Sequence, residues 1–392
     1  MDTRLVDLAG MQSLLDVLIA RGYTVIGPTV RQGAIVGAPI RAVADLPVGW
    51  GDEQEAGHYR LRRREDDAVF GFASGAQSAK PVFFPAETLL WRGRRTSDGG
   101  LTVEPPDAPE GPVALIGVRS CDLAAVGIHD RVLLGRVPLG RGYTDGEYAA
   151  RRADAFIVAV TCSDPGGTCF CASMGTGPRP GGSLGAAHDL LVTELLGDQG
   201  HRFVIEVASA RGAEVLDDMG AAGAVVATAD QVRAAEEVAT AAAGRMGRTL
   251  DTAGLKELLY ASPDSPVWDD VAARCLTCTN CTAVCPTCFC TSVDDVTDLT
   301  GAEVGRRRVW DSCFNSDYSY IHGGTVRASA RSRYRQWMTH KLAAWQDQFG
   351  TSGCVGCGRC ITWCPAAIDI TAEAAALRTA AAGHGTASAG DG

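Results

Sequence analysis

The strongest constraint on this chain is a pair of cysteine runs with identical spacing. They occupy residues 275–286 and 354–365, and both read C-x2-C-x2-C-x3-C-P. Three thiols separated by two residues can wrap one iron–sulfur cubane, and in bacterial two-cluster ferredoxins the fourth cysteine of each run ligates the other cluster. The spacing therefore predicts two [4Fe–4S] clusters in the C-terminal part of the chain.

Crossed ligation predicts which thiols share a cluster. The expected ligands are Cys275, Cys278, Cys281 and Cys364 for cluster 1, and Cys285, Cys354, Cys357 and Cys360 for cluster 2. A pair of zinc sites is the alternative, because Cys-x2-Cys pairs also bind zinc. Zinc needs only four ligands and has no use for two identical runs that end in proline, so the pattern favours clusters.

Residues 286–353 separate the two runs, and this insertion is longer than that of a compact bacterial ferredoxin. A helix is predicted over residues 326–348, with Gly350 as its cap. This arrangement resembles the α-helical ferredoxin domain of respiratory-type iron–sulfur subunits. Three cysteines near the ligands, Cys288, Cys290 and Cys313, are left over. They are either buried free thiols or additional ligands, and they stay unassigned.

Part of the insertion is basic. Between Arg306 and Lys341 there are eight Lys or Arg and two acids, and Arg327, Arg331 and Arg335 would share one helix face. One interpretation is a solvated face with ion pairs. The other is a docking surface, or a field that tunes the clusters.

The N-terminal part has the pattern of an α/β domain. Short apolar runs at 113–118, 155–160 and 202–207 suit strands buried on both faces, and residues 23–40 and 58–72 favour antiparallel strands. The predicted domains are 1–227, α/β; 228–265, a helical connector; 266–375, a helical two-cluster ferredoxin domain; and 376–392, a disordered tail rich in Ala, Gly and Ser.

Four further cysteines form a candidate third site. Cys121 and Cys162 follow predicted strands, and a Pro-Gly-Gly turn at 165–167 could bring Cys169 and Cys171 to the same place. Ligands in open α/β sheets gather outside the carboxyl ends of the strands. Four thiols there would suffice for a third [4Fe–4S] cluster. The alternative is a set of buried apolar cysteines with a redox-active pair among them.

Composition excludes several classes of protein. The net charge of −10 argues against general nucleic-acid binding, and no apolar stretch of about 18 residues or more predicts a membrane span. The acidic N-terminus does not have the pattern of a secretion signal, and an odd count of 15 cysteines does not fit a disulfide framework. A cytoplasmic location is expected. No dinucleotide fingerprint, P-loop or nucleophile–base pair is recognisable.

Several segments together resemble a known family. The sequences are GVRSCDLA at 117–124, CFCASMGTGP at 169–178, CPTCFC at 285–290, WDSC at 310–313 and CVGCGRC at 354–360. They resemble the beta (iron–sulfur) subunit of cytoplasmic sulfhydrogenase-type NiFe hydrogenases and its relative, the electron-transfer subunit of anaerobic sulfite reductase. The resemblance covers about residues 113–370. Ser120 stands where a proline is expected, and no ligand is affected.

The resemblance implies a non-catalytic subunit that relays electrons. Its partners would be a flavoprotein subunit that oxidises NAD(P)H and the catalytic subunits of a NiFe hydrogenase, or those of a sulfite reductase. A self-contained sulfur-reducing enzyme that uses the N-terminal site is a third hypothesis. No catalytic residue is predicted, and the expected cofactors are two [4Fe–4S] clusters plus the candidate third one.

Overall fold

The computed structural model describes residues 2–105, 111–138, 142–181, 184–197, 200–220 and 224–387. No helix among these residues is both long and apolar enough to cross a membrane.

An eight-stranded sheet forms the core of the N-terminal part. In spatial order its strands are β12 (Val225–Val226), β1 (Thr3–Val6), β11 (Arg202–Val207), β10 (Leu190–Leu195), β9 (Phe156–Val160), β8 (Val113–Arg119), β2 (Thr24–Arg31) and β3 (Ala34–Pro39). The four strands β10, β9, β8 and β2 are parallel neighbours, and antiparallel strands flank them on both sides. The three apolar runs are therefore strands, as predicted.

Both faces of this sheet are covered, which explains why the central strands are apolar throughout. Helix α1 (Leu8–Ala20) packs on the face that receives Phe156 and Val158 of β9. Helices α3 (Ser120–Leu133) and α4 (Gly146–Asp154) cover the other face, which receives Ile157. Helix α5 (Ala210–Asp218) also packs on the sheet, through Val215 and Leu216.

The insertion between the two cysteine runs is not wholly helical. Its strands β13 (Thr291–Thr297) and β14 (Glu303–Trp310) form a hairpin that pairs with β6 (Glu87–Arg95) and, through it, with β7 (Leu101–Glu104). The prediction of a purely helical C-terminal domain is wrong here. Strands with alternating charged residues carry no apolar run, and their partner is distant in sequence. Two further hairpins are β4–β5 (Trp50–Glu55, His58–Arg63) and β15–β16 (Tyr320–Ile321, Gly324–Thr325).

Six of the other helices surround the cysteine runs and contribute to a second apolar core. They are α7 (Leu255–Ala261), α8 (Val267–Arg274), α9 (Asn280–Ala283), α10 (Ala330–Thr339), α12 (Arg359–Thr362) and α13 (Ile370–Ala387). Helix α2 (Lys80–Phe83) packs on the sheet through Phe83, α6 (Ala229–Ala243) contacts β10 and β11, and α11 (Trp345–Phe349) packs through Trp345 beside Cys121 and Cys357. A π-helical turn, His340–Ala344, joins α10 to α11, and Gly350 ends α11 in the left-handed conformation with φ of 67°. Gly350 is therefore the helix cap, as predicted. Arg327 lies before the start of α10, so it does not share a helix face with Arg331 and Arg335.

Helix α13 continues to Ala387, so the prediction of a disordered tail from residue 376 is wrong as far as residue 387. Alanine has the highest helix propensity, and an alanine-rich segment can therefore extend a helix even where little apolar surface is available for burial. Residues 388–392 lie outside the described residues.

Candidate metal centres

The first group of predicted ligands surrounds one cavity. Cys275 ends α8, Cys281 lies in α9, and Cys364 follows α12, which belongs to the second cysteine run. All three line a cavity of about 470 Å³ together with Cys278. Aromatic and aliphatic side chains, including that of Trp337, form the rest of its wall. The structure therefore brings together the four thiols expected for cluster 1, and Cys360, which is expected in cluster 2, lines the same cavity.

The second group lies beside it. The pKa of Cys360 lies well above its ordinary value. Burial raises it most, and the neighbouring thiols of Cys354, Cys357 and Cys285 raise it further. The amide of Gly356 donates a hydrogen bond to the Cys354 sulfur at 3.4 Å. Cys285 from the first run is thus a neighbour of the second run, as the expected ligand set for cluster 2 requires.

The donor sets fit iron–sulfur clusters better than single ions. Among the described residues, no three His, Cys, Asp or Glu side chains are arranged to hold one metal ion. The thiols of the first group instead line one cavity. Burial raises the pKa of most of the predicted ligand thiols, such as Cys281 and Cys354. A thiol that is protonated in the absence of a metal becomes a ligand only when the metal displaces its proton.

The four N-terminal cysteines also meet. Cys121 lies in the first turn of α3, directly after β8, and Cys162 lies two residues beyond β9. With Cys169 and Cys171 they line a single cavity of about 310 Å³ at the carboxyl ends of these parallel strands. This is the position expected for ligands in such a sheet. Cys357 lines the same cavity, which the spacing of the cysteine runs does not predict.

Arg119 supports the presence of a charged group in this third cavity. Its side chain is only 4% exposed and lines the cavity beside the cysteines. Nη2 donates a hydrogen bond to the carbonyl oxygen of Phe70 at 2.8 Å, but Nε and Nη1 have no partner among the described residues. Buried guanidinium donors without acceptors are costly. The sulfur atoms of an anionic cluster would satisfy them.

The second cysteine run packs directly on the third cavity. Gly356 has a φ of 64°, and a Cβ there would lie 2.6 Å from the carbonyl oxygen of Phe170 and 2.7 Å from the amide nitrogen of Cys171. Only glycine permits both the conformation and this approach. The loop between Cys354 and Cys357 is therefore fitted to the loop that carries Cys169 and Cys171.

Comparison with known proteins identifies the family. Over 264 residues the chain is 34% identical to sulfhydrogenase 2 subunit beta of Pyrococcus furiosus, and the alignment covers 66% of this chain and 72% of that relative. This chain belongs to the sulfhydrogenase beta-subunit family. Residues 274–368 also match the model of a 4Fe-4S dicluster domain. No solved structure matches the chain.

The predicted class is thereby confirmed: this sulfhydrogenase beta-type chain is an iron–sulfur electron-transfer subunit with a C-terminal 4Fe-4S dicluster domain. Beyond the ligands, two features of its site carry a weak sequence signal. One is Arg119, inside the segment GVRSCDLA. The other is Lys341, which the sequence shows only as the last member of the basic segment.

Four of the eight basic residues of the basic segment pair with carboxylates within the beta-type chain itself. Arg306 pairs with Asp295 at 2.6 Å, and Arg331 pairs with Asp269 at 2.9 Å. The remaining contacts include Arg307 with Glu87, Arg308 with Asp145, and Arg335 with the Pro263 carbonyl. Lys341 is buried. These contacts favour the interpretation as a face with ion pairs over that of a docking surface.

The three cysteines without an assignment lie close to the C-terminal ligands. Cys288 lies close enough to Cys285 for each thiol to shift the pKa of the other. Cys290 and Cys313 form a second such pair. All three are half-buried.

Proposed function

We propose that this chain relays electrons between a flavin subunit that oxidises NAD(P)H and the catalytic subunits of a NiFe hydrogenase. The observation that carries this proposal is the contiguity of the three thiol-lined sites. Cys281 of the first site lies near Cys285 of the second. Cys357 of the second site lines the third cavity. The name of the sulfhydrogenase relative supports a hydrogenase over a sulfite reductase as the partner.

We assign the ligands as the crossed runs require. Cys275, Cys278, Cys281 and Cys364 would hold cluster 1; Cys285, Cys354, Cys357 and Cys360 would hold cluster 2; and Cys121, Cys162, Cys169 and Cys171 would hold a third cluster. When bound, each [4Fe–4S] cluster supplies one-electron transfer. The chain's own residues hold the sulfur ligands, bury them, and supply cationic or donor groups at Lys341 and Arg119.

A relay needs partners because hydride chemistry requires a cofactor such as flavin to split the electron pair. The sequence has no recognisable nucleotide or flavin motif. A cytoplasmic location belongs to the same proposal, because all fifteen cysteines are unpaired and structural disulfides are rare in that compartment.

A self-contained enzyme is the second candidate, and one cavity favours it. A cavity of about 990 Å³ lies at the carboxyl end of β8, beside the middle of β2 and strand β3. It shares Ser74 and Arg119 with the wall of the third thiol-lined cavity. A substrate bound there would lie one side chain away from the third site.

The isolated chain with its clusters, purified without oxygen, separates the two candidates. For a relay, dithionite should reduce the clusters, whereas hydrogen and NADPH should not. Adding the flavoprotein subunit should then make the reduction dependent on NADPH. Turnover of hydrogen, NADPH or a sulfur compound by the chain alone would refute the relay and favour the self-contained enzyme.

A further inference from the structure

Two of the unassigned cysteines are held side by side by the hairpin β13–β14. Cys290 immediately precedes β13, and its carbonyl oxygen accepts a hydrogen bond from the amide of Asp311 at 2.9 Å. Cys313 lies two residues beyond Asp311 on the returning chain. The antiparallel register, in which Thr291 faces Trp310, places Cys290 opposite Asp311. The hairpin therefore brings Cys313 to within two residues of the position opposite Cys290.

The two thiols lie close enough for each to shift the pKa of the other, and the hydroxyl of Tyr318 is a further neighbour of Cys290. Disulfide formation requires Cβ atoms about 3.5–4.5 Å apart. Peptide mapping of the disulfide tests whether the two side chains reach that geometry. No ligand assignment uses these cysteines, because twelve others complete the three proposed cluster sites.

The pair is accessible and lies beside the cluster sites. Cys290 lines an open cavity of about 410 Å³ whose walls include Lys80 and Asp311. Cys313 packs against the apolar core that also contains Cys281, a proposed ligand of cluster 1. The hydrogen bond with Cys313 lowers the pKa of Cys290 to about 6. A thiolate at neutral pH is the reactive form in disulfide exchange.

We propose that Cys290 and Cys313 form a reversible dithiol–disulfide couple next to the C-terminal clusters. On oxidation the Cys290 thiolate and the Cys313 thiol together lose one proton and two electrons, and one S–S bond forms. Both electrons would go to an external disulfide by exchange or, when clusters are bound, one at a time to two of them. On reduction the same bond breaks, and the Cys313 sulfur takes up one proton. The couple would hold an electron pair where each cluster holds one electron.

The assignment of the clusters as electron acceptors rests on the proposed relay, but the existence of the couple does not. The test uses the full chain with its clusters, equilibrated without oxygen in buffers of reduced and oxidised dithiothreitol. Free thiols are then alkylated, and the peptides are mapped by mass spectrometry. Peptides that contain Cys290 and Cys313 should be joined by a disulfide under oxidising conditions and separate under reducing ones.

Variants make the assignment specific. C290S and C313S should each abolish the linked peptide, whereas C288S should retain it. Alkylation of both thiols under every condition would overturn the proposal, as would loss of about four irons in C290S or C313S, because the residues would then be ligands. If either variant fails to fold, the wild-type peptide map alone decides. A failed relay assay with an intact disulfide map would refute the relay and leave the couple standing.

Discussion

The ammonium nitrogen of Lys341 lies 3.1 Å from the sulfur of Cys285, and both side chains are buried. Its other two hydrogen bonds go to the hydroxyl of Thr287 at 2.9 Å and the carbonyl oxygen of Gly353 at 3.1 Å. A buried ammonium is costly unless it is paired. A hydrogen bond from Cys288, and then the charge of Lys341, hold the pKa of Cys285 well below its ordinary value.

Replacing this lysine should lower the reduction potential of cluster 2. K341M removes a positive charge and a hydrogen-bond donor from beside the sulfur of Cys285. In the wild type, the charge and the donor both stabilise the reduced cluster. A charge-assisted hydrogen bond worth about 1.5 kcal/mol corresponds to roughly 60 mV for a one-electron couple. Redox titration followed by electron paramagnetic resonance measures the shift. K256M, at a surface lysine paired with Asp347, is the matched control and should shift neither cluster.

Crossed ligation predicts that a substitution damages the remote cluster. C285A should disturb the cluster held by Cys354, Cys357 and Cys360 and spare the one held by the sequence neighbours of Cys285. C288A removes the neighbouring thiol and should keep both clusters. Site-resolved spectroscopy of the two variants measures this difference. Loss of cluster 1 instead of cluster 2 in C285A would contradict the assignment.

The sequence predicted the parts of the fold that depend on local pattern. The run at 202–207 is strand β11, and residues 23–40 form the antiparallel pair β2 and β3. The convergence of Cys121 and Cys162 with the Cys169–Cys171 loop was also predictable, because parallel strands end at the same edge of a sheet.

The parts that could not be predicted depend on long-range contacts between polar residues. Strand β14 pairs with β6 across about two hundred residues of chain, and its side chains include three consecutive arginines. The contact between Arg359 and Asp122 is likewise absent from any sequence pattern. Nothing in a run of cysteines shows that Cys357 also reaches the N-terminal cavity.

The third site predicts the iron content. Three cubanes require about twelve irons per chain, and two require about eight. The double variant C121A/C169A should lower the content from about twelve to about eight and leave the C-terminal clusters intact. C313A, which removes a thiol outside the three ligand sets, should retain about twelve. A wild-type chain that binds about eight irons after full reconstitution would refute the third cluster.

The buried ion pair between Arg359 and Asp122 joins the two halves of the chain. The guanidinium donates to both carboxylate oxygens, at 2.7 and 3.0 Å, and Arg359 is 1% exposed. D122A leaves the buried cation without its partner and should reduce the free energy of unfolding by about 3–5 kcal/mol. D218A, which breaks the more exposed pair with Arg21, should cost about 1 kcal/mol or less. Equal losses in chemical denaturation would contradict this explanation.

His129 is buried as a neutral imidazole. Its ring lies between those of Phe84 and Tyr148, and its Nε2 has no hydrogen-bond partner among the described residues. Burial first, and then the nearby charge of Lys80, lower the pKa of His129 from 6.5 to about 4. The Thr287 backbone opposes this shift.

The sign of the resulting pH dependence follows from this shift. Between about pH 6.5 and pH 4 the unfolded chain binds a proton on His129 that the folded chain excludes, so the free energy of unfolding falls on acidification. The loss begins near pH 6.5, reaches about 3 kcal/mol near pH 4, and then levels off. The positive charge of Lys341 also lowers the pKa of His129, whereas Cys285 raises it. Denaturation midpoints measured for the wild type and H129Q at pH 7, 6 and 5 should diverge, with H129Q less sensitive to acid. Parallel curves would show that His129 is not the group responsible, because carboxylates and cluster ligands are common to both proteins.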